Sequence, residues 1–185
     1  MQGLVTFAAQ VGLIFAILLP TFCYAAAIAL FLFAAWGFWQ QAQPGNPFRG
    51  KPWVPWIALF LCGAFATFDR ILTKANITGG SSVTVSFATS LSSYGAPSVG
   101  RGLLGTGPFS AVVNVVQVFQ GFFQSFGAMV CFVAVIAWFS VVRGRSDRSQ
   151  PGCGVQFVFG IMLINVLTIA QWIAGLFQAG GTTTG

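Results

Sequence analysis

The sequence predicts an all-α membrane protein of about four transmembrane helices, arranged as two hairpins joined by a Gly/Ser-rich extracytoplasmic connector. Three observations predict it. Only 5% of the 185 residues are charged and 56% are hydrophobic, whereas a soluble domain is about 25% charged. No charged side chain occurs in residues 1–48, 102–142 or 149–185, and a helix needs about 20 apolar residues to cross hydrocarbon. The cations gather in short turns between these runs, with Arg143, Arg145 and Arg148 in a single turn. A soluble protein with a very large core is the competing reading, but a chain of this size has too much surface to cover with so few ions.

The composition bounds the chemistry. A net charge of +6 can signal nucleic acid, but eight cations dispersed between apolar runs do not make a binding face, and no direct nucleic-acid contact is expected. They suit anionic headgroups and the positive-inside rule better. Cys23, Cys62 and Cys131 lie in apolar runs as small packing residues. Cys153 falls in a turn assigned to the reducing cytoplasm, where a disulfide is not expected. With no histidine and no CxxC, neither a zinc site nor a histidine acid–base centre has a basis.

The first hairpin is expected over residues 1–74, with spans at about 11–39 and 53–68. Pro20 removes a backbone donor and is expected to kink or divide the first span. Trp36 and Trp39 close it at a headgroup boundary. A signal peptide is the rival reading of the start. The first ten residues lack Lys and Arg and the apolar run continues past Ala25, so an uncleaved span is expected. Pro44, Gly45 and Pro47 mark a turn that carries Arg49 and Lys51. The second span is only 16 residues, about 24 Å as helix, against a hydrocarbon core of about 30 Å. It is expected to thin the bilayer or to be re-entrant.

Residues 75–108 turn rich in Gly, Ser and Thr and read as an aqueous loop, a candidate contact surface for partners. The alternation around Val83, Val85 and Phe87 is a faint strand signal. The second hairpin is expected over 109–185: a helix over 109–142 with an interfacial first part, a basic turn at 143–154, a span over 155–178 and a flexible tail. Each of its helices carries a stripe of polar or small residues at intervals of mostly three or four. The first is Asn114, Gln117, Gly121 and Gln124; the second is Gly160, Asn165, Thr168, Gln171 and Gly175. In lipid, such side chains let helices approach and hydrogen-bond one another. A water pore lined by the amides is the alternative, weakened because no ionisable residue lies mid-span. Both basic turns are expected in the cytoplasm, which puts both termini and the connector outside. The halves share a plan of long span, basic turn and second span, which two hairpins produce with or without duplication.

Candidate active-site chemistry is sparse. Asp69 and Asp147 are the only carboxylates, in loops assigned to opposite sides of the membrane, so a paired-carboxylate mechanism is not expected. No Walker or dinucleotide motif occurs. No enzyme, cofactor or metal is expected. Arg143, Arg145, Arg148, Arg49 and Lys51 are the candidates to meet lipid headgroups or a filament lumen, at about 1 kcal/mol per cation near an anionic surface. Simple topology setting is the plainer role for the same residues.

The end of the second span at Phe65–Phe68, the segments Asn76–Ser82 and Ser90–Tyr94, and Gly152-x-Gly154-x-Gln156-Phe157 leading into Gly160–Asn165 together resemble the TraQ-like proteins of IncI-type conjugation systems. Their relatives in Dot/Icm (type IVB) secretion are the small inner-membrane proteins IcmC/DotE and IcmD/DotP. The resemblance covers roughly residues 55–178 and is one of pattern and order. It implies a bacterial inner-membrane component of a DNA-transfer or effector-export machine, with other secretion or conjugation subunits as partners. The final hairpin is also similar to conjugative pilins, two apolar helices joined by a short basic turn. That similarity implies a homo-oligomeric filament, in some such pilins with bound phospholipid, and an extracellular pilus.

Overall fold

The computed structural model describes residues 2–45, 48, 50–78, 113–117 and 119–180. All regular structure among them is helical. Six helices follow in order: α1 Gln2–Gln41, α2 Val54–Ala66, α3 Phe68–Thr78, α4 Gln120–Val142, α5 Gln150–Ile164 and α6 Val166–Gly180. Residues 113–117 form a further helical turn. The connector from residue 79 to 112, its faint strand signal, Arg49 and the tail 181–185 lie outside the described residues.

Helix α1 has 40 residues and passes through Pro20 undivided. Next to the proline, the Thr21 hydroxyl donates to the Ile17 carbonyl at 3.1 Å. At about 60 Å, α1 is twice the thickness of a hydrocarbon core.

The second expected span ends at a bend near its expected boundary, and the last is broken in two. Helix α2 has 13 residues, about 20 Å, and α3 leaves it at 81°. The bend falls at Thr67, whose φ of −121° departs from the helix. Both the amide and the hydroxyl of Thr67 donate to the Gly63 carbonyl, at 3.2 and 3.0 Å. Aromatic packing braces the bend: Phe65 and Phe68 both meet Phe132 of α4, with ring centroids 5.3 and 6.3 Å away. The sequence reading of one helix over 155–178 meets a second bend, of 74°, between α5 and α6 at Asn165. By length and composition, α1 and α4 are apolar enough to cross a membrane, and each bent pair passes only if counted as one span.

The turn between α4 and α5 is built by capping. Arg143 is the C-cap, and Gly144 takes the left-handed conformation at φ +74°. Its amide donates to the Val141 carbonyl and that of Arg145 to the Ser140 carbonyl, at 2.9 and 3.0 Å. This paired closure needs a glycine where L side chains are strained. Ser149 then caps α5, its hydroxyl accepting from the Gly152 amide at 3.3 Å, with Pro151 in the first turn.

Helix α1 packs on α2 and on α4, and α4 packs on α5. Small residues make the closest approaches. A Cβ at Gly160 would lie 2.5 Å from Cys131 Sγ and 2.8 Å from the Gly127 carbonyl, and one at Gly127 would lie 2.6 Å from the Gly160 carbonyl. The core is otherwise Ala, Cys, Leu, Phe and Ile164, with Cys23, Ala27, Ala34, Ala58 and Ala128 at helix contacts. Large apolar side chains face outward instead: Ile28, Phe31, Leu32, Phe60 and Val155 are all exposed, Phe60 by 77%. A water-soluble bundle would invert this distribution; lipid tails accept it.

Candidate functional site

Two places concentrate the polar chemistry, one at each end of α5. The first is the basic end. Lys51 and Arg143 lie in different turns of the chain, yet the Lys51 ammonium is 3.0 Å from the position a Gly144 Cβ would occupy. The two basic turns therefore meet. Gln41 ties the end of α1 to the first of them by donating to the Pro52 carbonyl at 2.8 Å. The Arg143 guanidinium lies 4.2 Å above the Phe33 ring and 5.5 Å from that of Phe139. Phe33 is held in turn by edge contacts with Phe48 and Phe139, both at 6.0 Å. Burial first, and the neighbouring Arg145 charge second, push Arg143 below the ordinary guanidinium range; an arginine still remains protonated at neutral pH. Arg145 and Arg148 are exposed.

Beside this end, an apolar cavity of about 270 Å³ opens between α4 and α5, lined by Val135, Trp138, Cys153 and Phe157 among others. A second, of about 220 Å³, is lined by Arg148, Ser149, Gly152, Cys153 and Gln156. Cys153 belongs to both. Four of the six tryptophans, Trp36, Trp39, Trp53 and Trp56, flank the first basic turn in sequence, and Trp138 sits in the second-last turn of α4. This end thus gathers tryptophans and cations, the residue types enriched at headgroup boundaries.

The second place is the pair of elbows. Asn76, in the last turns of α3, and Asn165, at the bend into α6, are both buried, at 0% and 8% exposure. The Asn165 side-chain amide donates to Asn76 Oδ1 and to the Ile161 carbonyl, each at 3.0 Å. Among the described residues, Asn165 Oδ1 finds no hydrogen-bond partner. The contact spans 89 positions of sequence and fastens α3 across the end of α5.

The expected polar stripes divide. Gly160 and Asn165 are buried contacts, while Thr168, Gln171 and Gly175 are exposed on α6. Asn114, Gly121 and Gln124 are half-buried and Gln117 is exposed. Asn76, Gly127 and Cys131 take part although the stripes do not contain them. Cys131 and Gly127 share the i, i+4 spacing that small interface residues favour, which is the signal that points to them. The thiol of Cys131 reaches the Phe157 carbonyl at 3.4 Å. All four cysteines are free. Among the described residues no three of His, Cys, Asp and Glu come together. Comparison with family models, with curated proteins and with solved structures returns no match. Fold and site together define a class, a helical protein with helices long and apolar enough to cross a membrane, and the particular role within that class rests on the residues themselves.

Proposed function

We propose that the protein is a structural component of a bacterial inner-membrane apparatus for DNA transfer or type IV secretion, built as two transmembrane hairpins and acting through helix–helix assembly. The observation that supports it most is the partition of side chains. Small residues and one amide pair make the internal contacts, while α1 presents Ile28, Phe31 and Leu32 outward, a face for lipid or for neighbouring subunits. The apparatus itself is inferred from the resemblance over residues 55–178. In this reading the joined basic turns face the cytoplasm, where Lys51, Arg143, Arg145 and Arg148 meet anionic lipid, and both termini lie outside.

The test is in-cell photo-crosslinking from a reactive side chain placed at Phe31 or Leu32. Crosslinks to subunits of a conjugation or secretion machine, with none from a control at the buried Ala34, are expected. Adducts to lipid alone would end the assembly reading. A second reading is kept by one feature: α4, the basic turn and α5 form a close-packed apolar pair, the shape of a pilin that polymerises with phospholipid. Sheared extracellular filaments containing the chain would decide for it. A channel, the third reading, requires ion flux in liposomes that Gln124→Leu abolishes.

A further inference from the structure

We infer that α6 is an in-plane membrane helix, seated at the headgroup–acyl boundary on the side opposite the basic turns, rather than the second half of a crossing span. The inference rests on the membrane reading above.

The helix presents two unlike faces. Ile169, Trp172, Ile173 and Leu176 recur at helical spacing, and the last three are exposed, Trp172 by 66%. Thr168, Gln171 and Gly175 recur about 120° round the helix, on the flank beside that face, and are exposed as well. A helix crossing lipid has no use for an open polar face, and a helix in water has none for an open Trp–Ile–Leu face. A phase boundary satisfies both at once. Helix α3, bent in the same way, differs in the respect that matters. Its Phe68 and Leu72 are buried against the protein, and its exposed Ile71 and Ile77 are interspersed with exposed Arg70, Lys74 and Thr78, so it has no continuous apolar face for lipid.

Length agrees. Helix α5 has 15 residues, about 22 Å, too short for a core of about 30 Å. An in-plane helix sinks its apolar face about 5–10 Å below the boundary, and that depth makes up the difference. Carried straight on, α5 and α6 would instead reach about 45 Å. The 74° bend, fixed by the Asn165–Asn76 hydrogen bond, turns α6 into the plane. The tryptophans agree too. Five of the six lie on the α1, α2 and α4 segments next to the basic turns, and Trp172 stands apart from them. Tryptophan is enriched at both membrane boundaries, so Trp172 marks the second. With no charge on α6, its seating is insensitive to salt and to lipid charge.

The test uses the full chain in liposomes, with nitroxide labels on Thr168→Cys, Gln171→Cys, Trp172→Cys and Leu176→Cys. Leu32→Cys on α1 serves as the reference, and the half-buried Cys62 is replaced by Ser throughout. Labels at 172 and 176 are expected to relax with oxygen at one common depth, and those at 168 and 171 with a water-soluble nickel chelate. A depth difference of about 6 Å between 172 and 176 would make α6 a span and overturn the inference. Protection from both agents would place a second copy on the face and overturn it equally. Nickel relaxation at Leu32 would instead sink the membrane reading itself. Should labelled chains fail to reconstitute, the unlabelled chain is compared with Trp172→Phe in brominated lipids. The fluorescence difference is expected to be quenched more by bromines near the acyl carbonyls than by bromines near the chain ends, and the reverse order overturns the inference.

Discussion

The basic end and the elbow end of the same bundle are held by different physics. At the basic end, backbone capping, a cation over an aromatic ring and tryptophans arrange groups that keep access to water. At the elbow end, two buried amides and an aromatic cluster hold bends in a setting without water. The difference shows where each kind of interaction is worth most. Exposed cations contribute little each, whereas a polar group shut away from water must find its partner or be strongly penalised.

Between the two ends lies the α4–α5 contact, and breaking it should have the largest effect. Gly160→Leu would drive a side chain into Cys131 and the Gly127 backbone. A loss of at least about 2–3 kcal/mol is expected from overpacking, read as a lower unfolding midpoint in mild detergent. Unchanged stability would mean that the contact is not as close as described.

The elbow comes next. Asn76→Ala and Asn165→Ala should each destabilise by about 1 kcal/mol. The double variant should lose less than the sum, by about 0.6 kcal/mol, the average measured for hydrogen bonds between membrane helices. Strict additivity would separate the two amides energetically. At the basic end, Arg143→Gln removes the cation above Phe33, for about 0.5–1 kcal/mol at a partly exposed site. Arg143→Lys should recover part of that in the same unfolding assay. The smallest effect is expected from Ser149→Ala, which removes an N-cap bond that is long at 3.3 Å. Its loss should be about 0.5 kcal/mol, at the low end for caps. If Ser149→Ala proved costlier than Asn165→Ala, the ranking of the two ends would be reversed.

Much of the basic end is legible in the sequence. Gly144 and the arginines label the turn, but the sequence reading runs it to 154, whereas Ser149 caps α5 and the helix begins at Gln150. The shortness of the second span is legible for the same reason, since Asp69 and Arg70 end its apolar run. The elbows are not. Asn165 sits mid-run among apolar neighbours with no glycine or proline to announce a break, and a one-dimensional reading continues the helix to 178. Its partner Asn76 is 89 positions away, and an amide pair across that separation leaves no periodic trace. The stripe of Thr168, Gln171 and Gly175 shows its spacing in the sequence but not whether its face meets a helix or water. Pro20 misleads in the opposite sense: a residue that breaks helices in water sits here inside one continuous 40-residue helix.

The most direct test is the sidedness of the two basic turns. Lys51→Cys and Ser146→Cys are each probed with a membrane-impermeant thiol reagent, in right-side-out and in inverted vesicles, against the unsubstituted chain as control. Both are predicted to react only in inverted vesicles, because the Lys51 ammonium and Gly144 stand side by side and cations stay in the cytoplasm. Labelling of the two positions from opposite faces would contradict the account.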